Sequence, residues 1–259
     1  MNLELENKTA LVTGSTKGIG FAIAKVLAGE GAKVIVNGRS EASAKEAAGK
    51  IGNGARGVAA DLSTAAGCDT LIAAVGSVDI LVNNTGIFEP KPFAEIPDAD
   101  WDRFYQVNVM SGVRLTRALF PGMLKKNWGR VIFISSESGV QIPEEMIHYG
   151  MTKAAQLSLV NGLSQLTKGT GVTVNAVLPG PTASEGVSDF VEQLASGANQ
   201  TPEEFEKEFF RSVRPTSLLQ RFATVEEVAN TVAYVCSPLA SATNGAAVRT
   251  DGGVLRATY

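Results

Sequence analysis

Residues 9–38 read TALVTGSTKGIGFAIAKVLAGEGAKVIVNG, and their order decides the fold. Thr9 to Thr13 is a short apolar strand, Gly14-Ser15-Thr16-Lys17-Gly18-Ile19-Gly20 a glycine turn, and Phe21 to Gly29 a helix. Lys33 to Asn37 is a second strand, ending in Gly38-Arg39-Ser40. A strand that feeds a helix through glycines leaves backbone N–H groups and the positive helix end facing outward, where they suit a pyrophosphate. A residue with a Cβ would hold the phosphate off. The spacing is G-x-x-x-G-x-G, and a plain tight connection would use the same residues. The second strand end speaks to the kind of nucleotide. A free ribose 2′-hydroxyl is usually held by an acidic side chain there, whereas a 2′-phosphate needs a cation. Gly38 stands in the acidic position, Arg39 beside it and Lys17 in the turn, which favours NADP(H) over NAD(H) unless both cations are merely solvated.

Outward from this unit, strands and helices keep alternating. A helix runs from about Ala42 to Ile51, a strand from Arg56 to Ala60 ends in Asp61-Leu62, and a helix runs from about Ala65 to Val75. The strand Asp79 to Val82 ends in Asn83-Asn84-Thr85-Gly86. A long helix follows from about Asp100 to Phe120. The strand Val131 to Ile134 ends in Ser135-Ser136, and a helix spans Tyr149 to about Leu166. The strand Val172 to Leu178 ends in Pro179-Gly180-Pro181-Thr182. A last helix, Thr224 to Cys236, opens on Thr224 as N-cap with Glu226-Glu227 near its positive end, and Ala246 to Val248 is a final strand. With no linker, composition break or repeat, residues 1–259 are expected to form a single α/β domain. Its architecture is a Rossmann-type doubly wound parallel β-sheet with helices on both faces. Nearly every polar cluster falls just after a strand, at the carboxyl edge where such sheets bind ligands. Asp61 either meets an adenine edge or satisfies its own turn, and the same choice holds for Asn83 to Gly86. Asn108, between Val107 and Val109 in the long helix, needs a hydrogen-bond partner. It either plugs the core or bends the helix and holds a water beside Lys153.

A second stretch, ISSESGVQIPEEMIHYGMTK from Ile134 to Lys153, carries chemistry. Tyr149 and Lys153 are four apart, so they share a helical face. A phenol titrates near ~10, and an ammonium within about 4–6 Å lowers that by roughly one to three units, toward the range of general acid–base work. Ser136, at the preceding strand end, is placed to hold the oxygen that gains or loses the proton. Tyr-x-x-x-Lys alone recurs by chance in many helices; the surrounding chain gives it weight.

Composition narrows the classes further. A net charge of −3 and a pI near 5.4 lack a basic nucleic-acid footprint. The two cysteines, Cys68 and Cys236, and the lone His148 show no metal-type spacing, so no metal is expected and both cysteines are read as reduced core residues. No run is long and apolar enough to cross a bilayer, and Met1 to Lys8 lacks a signal-peptide core. The expectation is a cytoplasmic protein acting on a small molecule, with neither nucleic acid nor membrane as partner.

Taken jointly and in order, Thr13-Gly14-Ser15-Thr16-Lys17-Gly18-Ile19-Gly20, Asp61-Leu62, Asn83-Asn84-Thr85-Gly86, Asn108, Ser136, Tyr149-x-x-x-Lys153, Pro179-Gly180-Pro181-Thr182 and Asp251-Gly252-Gly253 make the chain resemble a classical short-chain dehydrogenase/reductase along nearly its whole length. The resemblance implies a catalytic set of Asn108, Ser136, Tyr149 and Lys153. Tyr149 would exchange a proton with the carbonyl oxygen as hydride passes to or from the nicotinamide, and Ser136 would polarise that oxygen. Lys153 would lower the Tyr149 pKa and bind the nicotinamide ribose, and Asn108 would hold a relay water. Residues 14–20, Arg39, Asp61, Leu62, Asn83, Gly86, Tyr149, Lys153, Pro179, Gly180 and Thr182 would bind NADP(H), Thr182 at the carboxamide. Thr85 departs from the more usual alanine. Residues 183–214 would be a substrate lid, with Val187, Phe190, Val191, Leu194, Phe205, Phe209 and Phe210 as candidate lid or packing residues. In the Gly139 to His148 loop, Ile142 and Met146 would face substrate, Glu144-Glu145 would face water, and His148 would point off the catalytic face. A homotetramer is also implied. The resulting expectation is an NADPH-dependent reductase of a small carbonyl compound. Its rivals are a 3-oxoacyl-acyl-carrier-protein reductase, served by a basic mouth of Arg103, Arg114, Arg117, Lys125, Lys126 and Arg130, and a non-catalytic NADP-binding sensor.

Overall fold

The computed structural model describes residues 2–184 and 201–257. Seven parallel strands form one sheet in the order β3-β2-β1-β4-β5-β6-β9. They are β1 (Thr9–Val12), β2 (Lys33–Gly38), β3 (Arg56–Ala59), β4 (Ile80–Asn83), β5 (Gly129–Ile134), β6 (Val172–Pro179) and β9 (Ala247–Thr250). A short parallel pair, β7 (Thr182–Ala183) with β8 (Ala223–Thr224), stands beyond it. The helices are α1 (Gly18–Gly29), α2 (Glu41–Ile51), α3 (Ala65–Val75), α4 (Asp98–Tyr105), α5 (Ser111–Lys126), α6 (Ile147–Gln165), α7 (Pro202–Ser212) and α8 (Val225–Cys236).

The central strands are apolar throughout because both faces are covered. Leu11 pairs in register with Ile35 and Leu81, and all three side chains enter the core shared with α3, α5 and α6. Their neighbours Val12, Val36 and Val82 point the other way, into the core shared with α1, α2 and α8. That period-two split makes the sheet doubly wound, as expected from the alternation. Winding reverses at β1, whose neighbours are β2 and β4, and the strand ends there open a crevice at the carboxyl edge.

Where the pattern predicts one long helix over 100–120, the chain forms α4, a π-helical turn at Gln106–Met110, and α5. A π-turn inserts a residue into the i→i−4 ladder and leaves a carbonyl without its usual intrahelical partner. Within this turn the Asn108 carbonyl accepts from Gln156 Nε2 on α6, at 2.6 Å. Thr224 caps α8 as expected, in a reciprocal capping box with Glu227.

Candidate active site

The glycine turn is braced from two sides. Asn37 Oδ1 accepts from the Gly14 N–H at 3.2 Å, and Asn84 Nδ2 donates to the carbonyls of Thr13 and Gly14 at 2.9 and 3.0 Å. Thr13 Oγ1 accepts from the N–H groups of Asn84 and Thr85. Gly14 sits at φ +57, and a Cβ on Gly20 would lie 2.5 Å from the Gly14 carbonyl oxygen, so neither position takes a side chain without moving the turn. Among the described residues no N-cap side chain bonds the start of α1, which leaves its first N–H groups available beside this turn. That is a cradle suited to a dinucleotide pyrophosphate.

At the end of β2 a Cβ on Gly38 would lie 2.4 Å from Thr16 Cγ2, so the acidic side chain that would hold a ribose hydroxyl has no room. Lys17 and Arg39 are both exposed and, among the described residues, neither side chain has a protein partner. The residues present fit a dinucleotide carrying a 2′-phosphate. Asp61 Oδ1 accepts from its own turn, at Ser63 N–H, while the Leu62 side chain is buried in the core and leaves only backbone for a ligand. Asn83 is buried with Nδ2 on Thr116 Oγ1, and its Oδ1 has no partner among the described residues. Gly180 passes so close to the Asp251 backbone that a Cβ would come within 2.5 Å of its carbonyl oxygen. Thr182, buried on β7, donates to the Gly180 carbonyl and holds this turn against the site.

The reacting groups meet at the ends of β5 and the start of α6. Lys153 is 4% exposed and donates to the Ile134 carbonyl at 2.9 Å. Ser135 Oγ donates to the Lys153 carbonyl, tying α6 to the strand end. The Lys153 ammonium lies 5.5 Å from the centre of the Tyr149 ring. A Cβ on Gly86 would sit 3.5 Å from Lys153 Nζ and 3.6 Å from Asn108 Oδ1, so the amine and the amide converge beside the end of β4. Ser136, buried just past the end of β5, acts on the Tyr149 phenol and tends to lower its pKa. Tyr149, Ser136, Lys153 and Asn108 are thus brought together, as expected.

Their electrostatics differ from expectation. Burial pushes the Tyr149 phenol up to about 12, opposed by the Ser136 hydrogen bond and by Arg214, and reinforced by Glu137. The predicted depression by Lys153 is absent because burial has drawn the amine itself down to about 8, weakening its hold on a proton. Tyr149 is therefore protonated at neutral pH and placed to give a proton. Asn108 is also fully employed. Its Oδ1 accepts from Ile87 N–H at 2.8 Å, and its Nδ2 donates to the Ile87 carbonyl and to Thr152 Oγ1, each at 3.0 Å. It plugs the core and pins the segment after β4 to α6.

His148 is fully buried between Trp101 and Phe104, off the catalytic face as expected. Glu145 does not simply face water: it accepts from Arg214 at 3.1 Å. Part of the supposed basic mouth is engaged elsewhere. Arg130 is buried at the opposite edge of the sheet, Arg103 pairs with Glu89 and Asp100, and Lys126 pairs with Asp79. Phe205, Phe209 and Phe210 pack in a ring cluster with Phe222. Val187, Phe190, Val191 and Leu194 lie outside the described residues. Sequence reading missed Asn37, whose position at a strand end next to the glycine turn was the available signal, and the Glu137–Arg214 pair, for which adjacency to Ser136 was the only one.

The model of the short chain dehydrogenase family matches residues 8–195. The chain is 50% identical over its full length to the whole of an uncharacterized oxidoreductase of Bacillus subtilis. It is 34% identical to a 3-oxoacyl-[acyl-carrier-protein] reductase of Aquifex aeolicus, over 98% of this chain and 100% of the relative. The L-sorbose reductase of Gluconobacter frateurii, solved with NADPH and L-sorbose, superposes with a TM-score of 0.94 at 30% identity, over 99% of this chain and 100% of that one. The chain belongs to the short-chain dehydrogenase/reductase family, a family of oxidoreductases. Among the described residues no helix is long and apolar enough to cross a membrane.

Proposed function

We propose that the protein reduces a small ketone or aldehyde to the alcohol with NADPH. The observation that carries this reading is a half-buried phenol, protonated at neutral pH, within reach of the buried Lys153 amine, with the buried Ser136 hydroxyl acting on it. NADPH supplies the hydride when bound. The Ser136 hydroxyl polarises the substrate oxygen, and Tyr149 gives its proton to that oxygen as the carbon is reduced, leaving a phenolate that Lys153 helps to reprotonate. Residues 14–20, braced by Asn37 and Asn84, would hold the pyrophosphate, and Arg39 with Lys17 the 2′-phosphate. Gly86, Thr182 and the turn at Pro179-Gly180 would border the nicotinamide end. Residues 183–214 are proposed as the cover over substrate, and a homo-oligomer as the assembled form. The scattered and paired cations of the supposed basic mouth favour a free carbonyl compound over one carried on an acidic protein.

The test is reduction of a panel (L-sorbose, cyclohexanone, benzaldehyde and an acetoacetyl thioester) with NADPH by wild-type protein and Tyr149→Phe. Wild-type turnover should fall about 10²- to 10⁴-fold in the variant while NADPH binding is kept. Undiminished turnover in the variant removes Tyr149 from the chemistry. NADPH binding with no turnover of any member by either protein supports the sensor reading instead.

A further inference from the structure

Glu137 immediately follows Ser136, and the reduction proposed above gives it no task. It is 4% exposed. A carboxylate taken out of water is costly unless it is paired and hydrogen-bonded, so its partners show what it is for. One oxygen, Oε2, accepts from Ser136 Oγ at 3.3 Å and from Ser138 Oγ. The other, Oε1, accepts from Arg214 Nε at 3.0 Å. Arg214 is itself buried, and its Nη1 donates to Glu145 Oε1 at 3.1 Å and to the Val213 carbonyl. Arg214 lies two residues beyond the end of α7. One buried cation therefore joins the segment behind α7 to the loop that leaves β5 and to the loop that enters α6.

The contacts decide where the Ser136 proton rests. Ser138 N–H donates to Ser136 Oγ at 3.1 Å, so the hydroxyl is an acceptor on that side and a donor toward Glu137. At 3.3 Å that donation is long for an O–H···O bond, and the proton is free to turn to a better acceptor. A shift of Arg214 that draws the carboxylate away releases the serine for a substrate oxygen. The same two side chains stand on the phenol with opposite sign: the Glu137 charge raises the Tyr149 pKa and the Arg214 charge lowers it. Among the described residues the remaining cation near the ring is Lys153, from the same helix; Phe88, packed edge-on at 6.4 Å from the segment after β4, brings no charge.

We propose that Glu137 and Arg214 are paired positioning residues, which transmit the placement of the segment behind α7 to the Ser136 hydroxyl and the Tyr149 phenol. The inference rests on the reading of Ser136 and Tyr149 as the substrate-oxygen site. It calls for two readouts, one of which needs no substrate.

The full chain is compared with Glu137→Gln, Arg214→Met and the double variant, each also made in a Tyr149→Phe background so that the difference in phenolate absorbance reports Tyr149 alone. Removing the anion should move the Tyr149 titration to lower pH, removing the cation should move it to higher pH, and the double variant should return toward wild type. With the best carbonyl compound of the panel, each single variant should lose about tenfold in kcat with KM within about threefold, the mark of an interaction made in the transition state. Arg214→Lys keeps the charge without the guanidinium fork, and guards against a single variant that fails to fold; it should lower kcat and leave the titration in place. Lower melting temperatures with an unmoved titration and unchanged kcat, or shifts of the same sign in both single variants, overturn the proposal. Opposite shifts in a protein that reduces nothing would sink the reductase reading and leave this pairing standing, whereas turnover with no shift would do the reverse.

Discussion

At the scale of single residues the site works against its own stability. Among the described residues Lys153 is buried with one backbone carbonyl as acceptor and no carboxylate, and its pKa is drawn down to about 8 by that burial. Below pH 8 folded and unfolded chains both carry the proton, so the folded state bears the whole cost of an enclosed cation. Between about 8 and the ordinary 10.5 the unfolded chain keeps a proton that the folded chain has released, and stability rises with pH. The gap between those values corresponds to roughly 3 kcal/mol. Lys153→Met, which fills the same channel without charge, should therefore be the more stable protein at pH 7 and should lose reductase activity. Its advantage in melting temperature should shrink as pH rises from 7 to 9.5. A variant less stable than wild type at pH 7 would show that the amine is held by more than its burial cost implies. The trade is the usual one between stability and a functional group enclosed at a cost.

Secondary elements explain how much of this the sequence could disclose. The glycine turn, β1, β2 and the face shared by Tyr149 and Lys153 were legible because local spacing alone dictates them. The π-turn was not, since Val107-Asn108-Val109 continues an ordinary helical pattern and only the partner side chains of Gln156 and Thr152 on α6 make the irregular ladder worthwhile. Glu137 and Arg214, separated by 77 residues, look like two solvated charges until topology encloses them. The α4–α6 contact adds a further element-scale consequence. His148 is buried against Trp101 and Phe104 with neither ring nitrogen partnered among the described residues. Burial lowers its pKa; Asp100 and Glu89 oppose that shift, while Lys91 and Arg103 add to it. In acid the unfolded chain takes up a proton that the folded chain refuses, so stability is lost as pH falls below the ordinary imidazole value, by up to about 1.4 kcal/mol per pH unit. His148→Leu, close in volume, should flatten the fall in melting temperature between pH 7 and pH 5. Equal acid sensitivity in the two proteins would place the cause elsewhere.

Across the whole molecule the two edges of the sheet have been given different work. At the amino edge Arg130 is buried and closes three backbone ends together, donating to the carbonyls of Gly129, Gly171 and Ser237, the last just past the C-terminus of α8, where a cation is favoured. Lys8 and Arg130 both lie over the Trp128 ring, which reinforces the same corner. At the carboxyl edge, among the described residues, Lys17 and Arg39 are exposed without side-chain partners, and no N-cap side chain bonds the start of α1. At the amino edge charge is satisfied within the fold; at the carboxyl edge Glu137 and Arg214 pair, while Lys17 and Arg39 stay open to a ligand. Binding at the open edge should then be felt by the whole domain, because the cradle is tied to β1, β2 and β4 through Asn37, Thr13 and Asn84. A ligand present at a hundred times its Kd stabilises the folded state by about 2.7 kcal/mol. For a domain of this size that is roughly 5–10 °C in Tm. NADPH should raise Tm by that much, and NADH at the same concentration by clearly less, since Arg39 and Lys17 meet no phosphate on its ribose. Arg39→Ala should bring the two shifts together by lowering the NADPH shift alone. An NADH shift as large as that of NADPH in wild-type protein would show that the strand end of β2 does not select the 2′-phosphate, whatever Gly38 excludes.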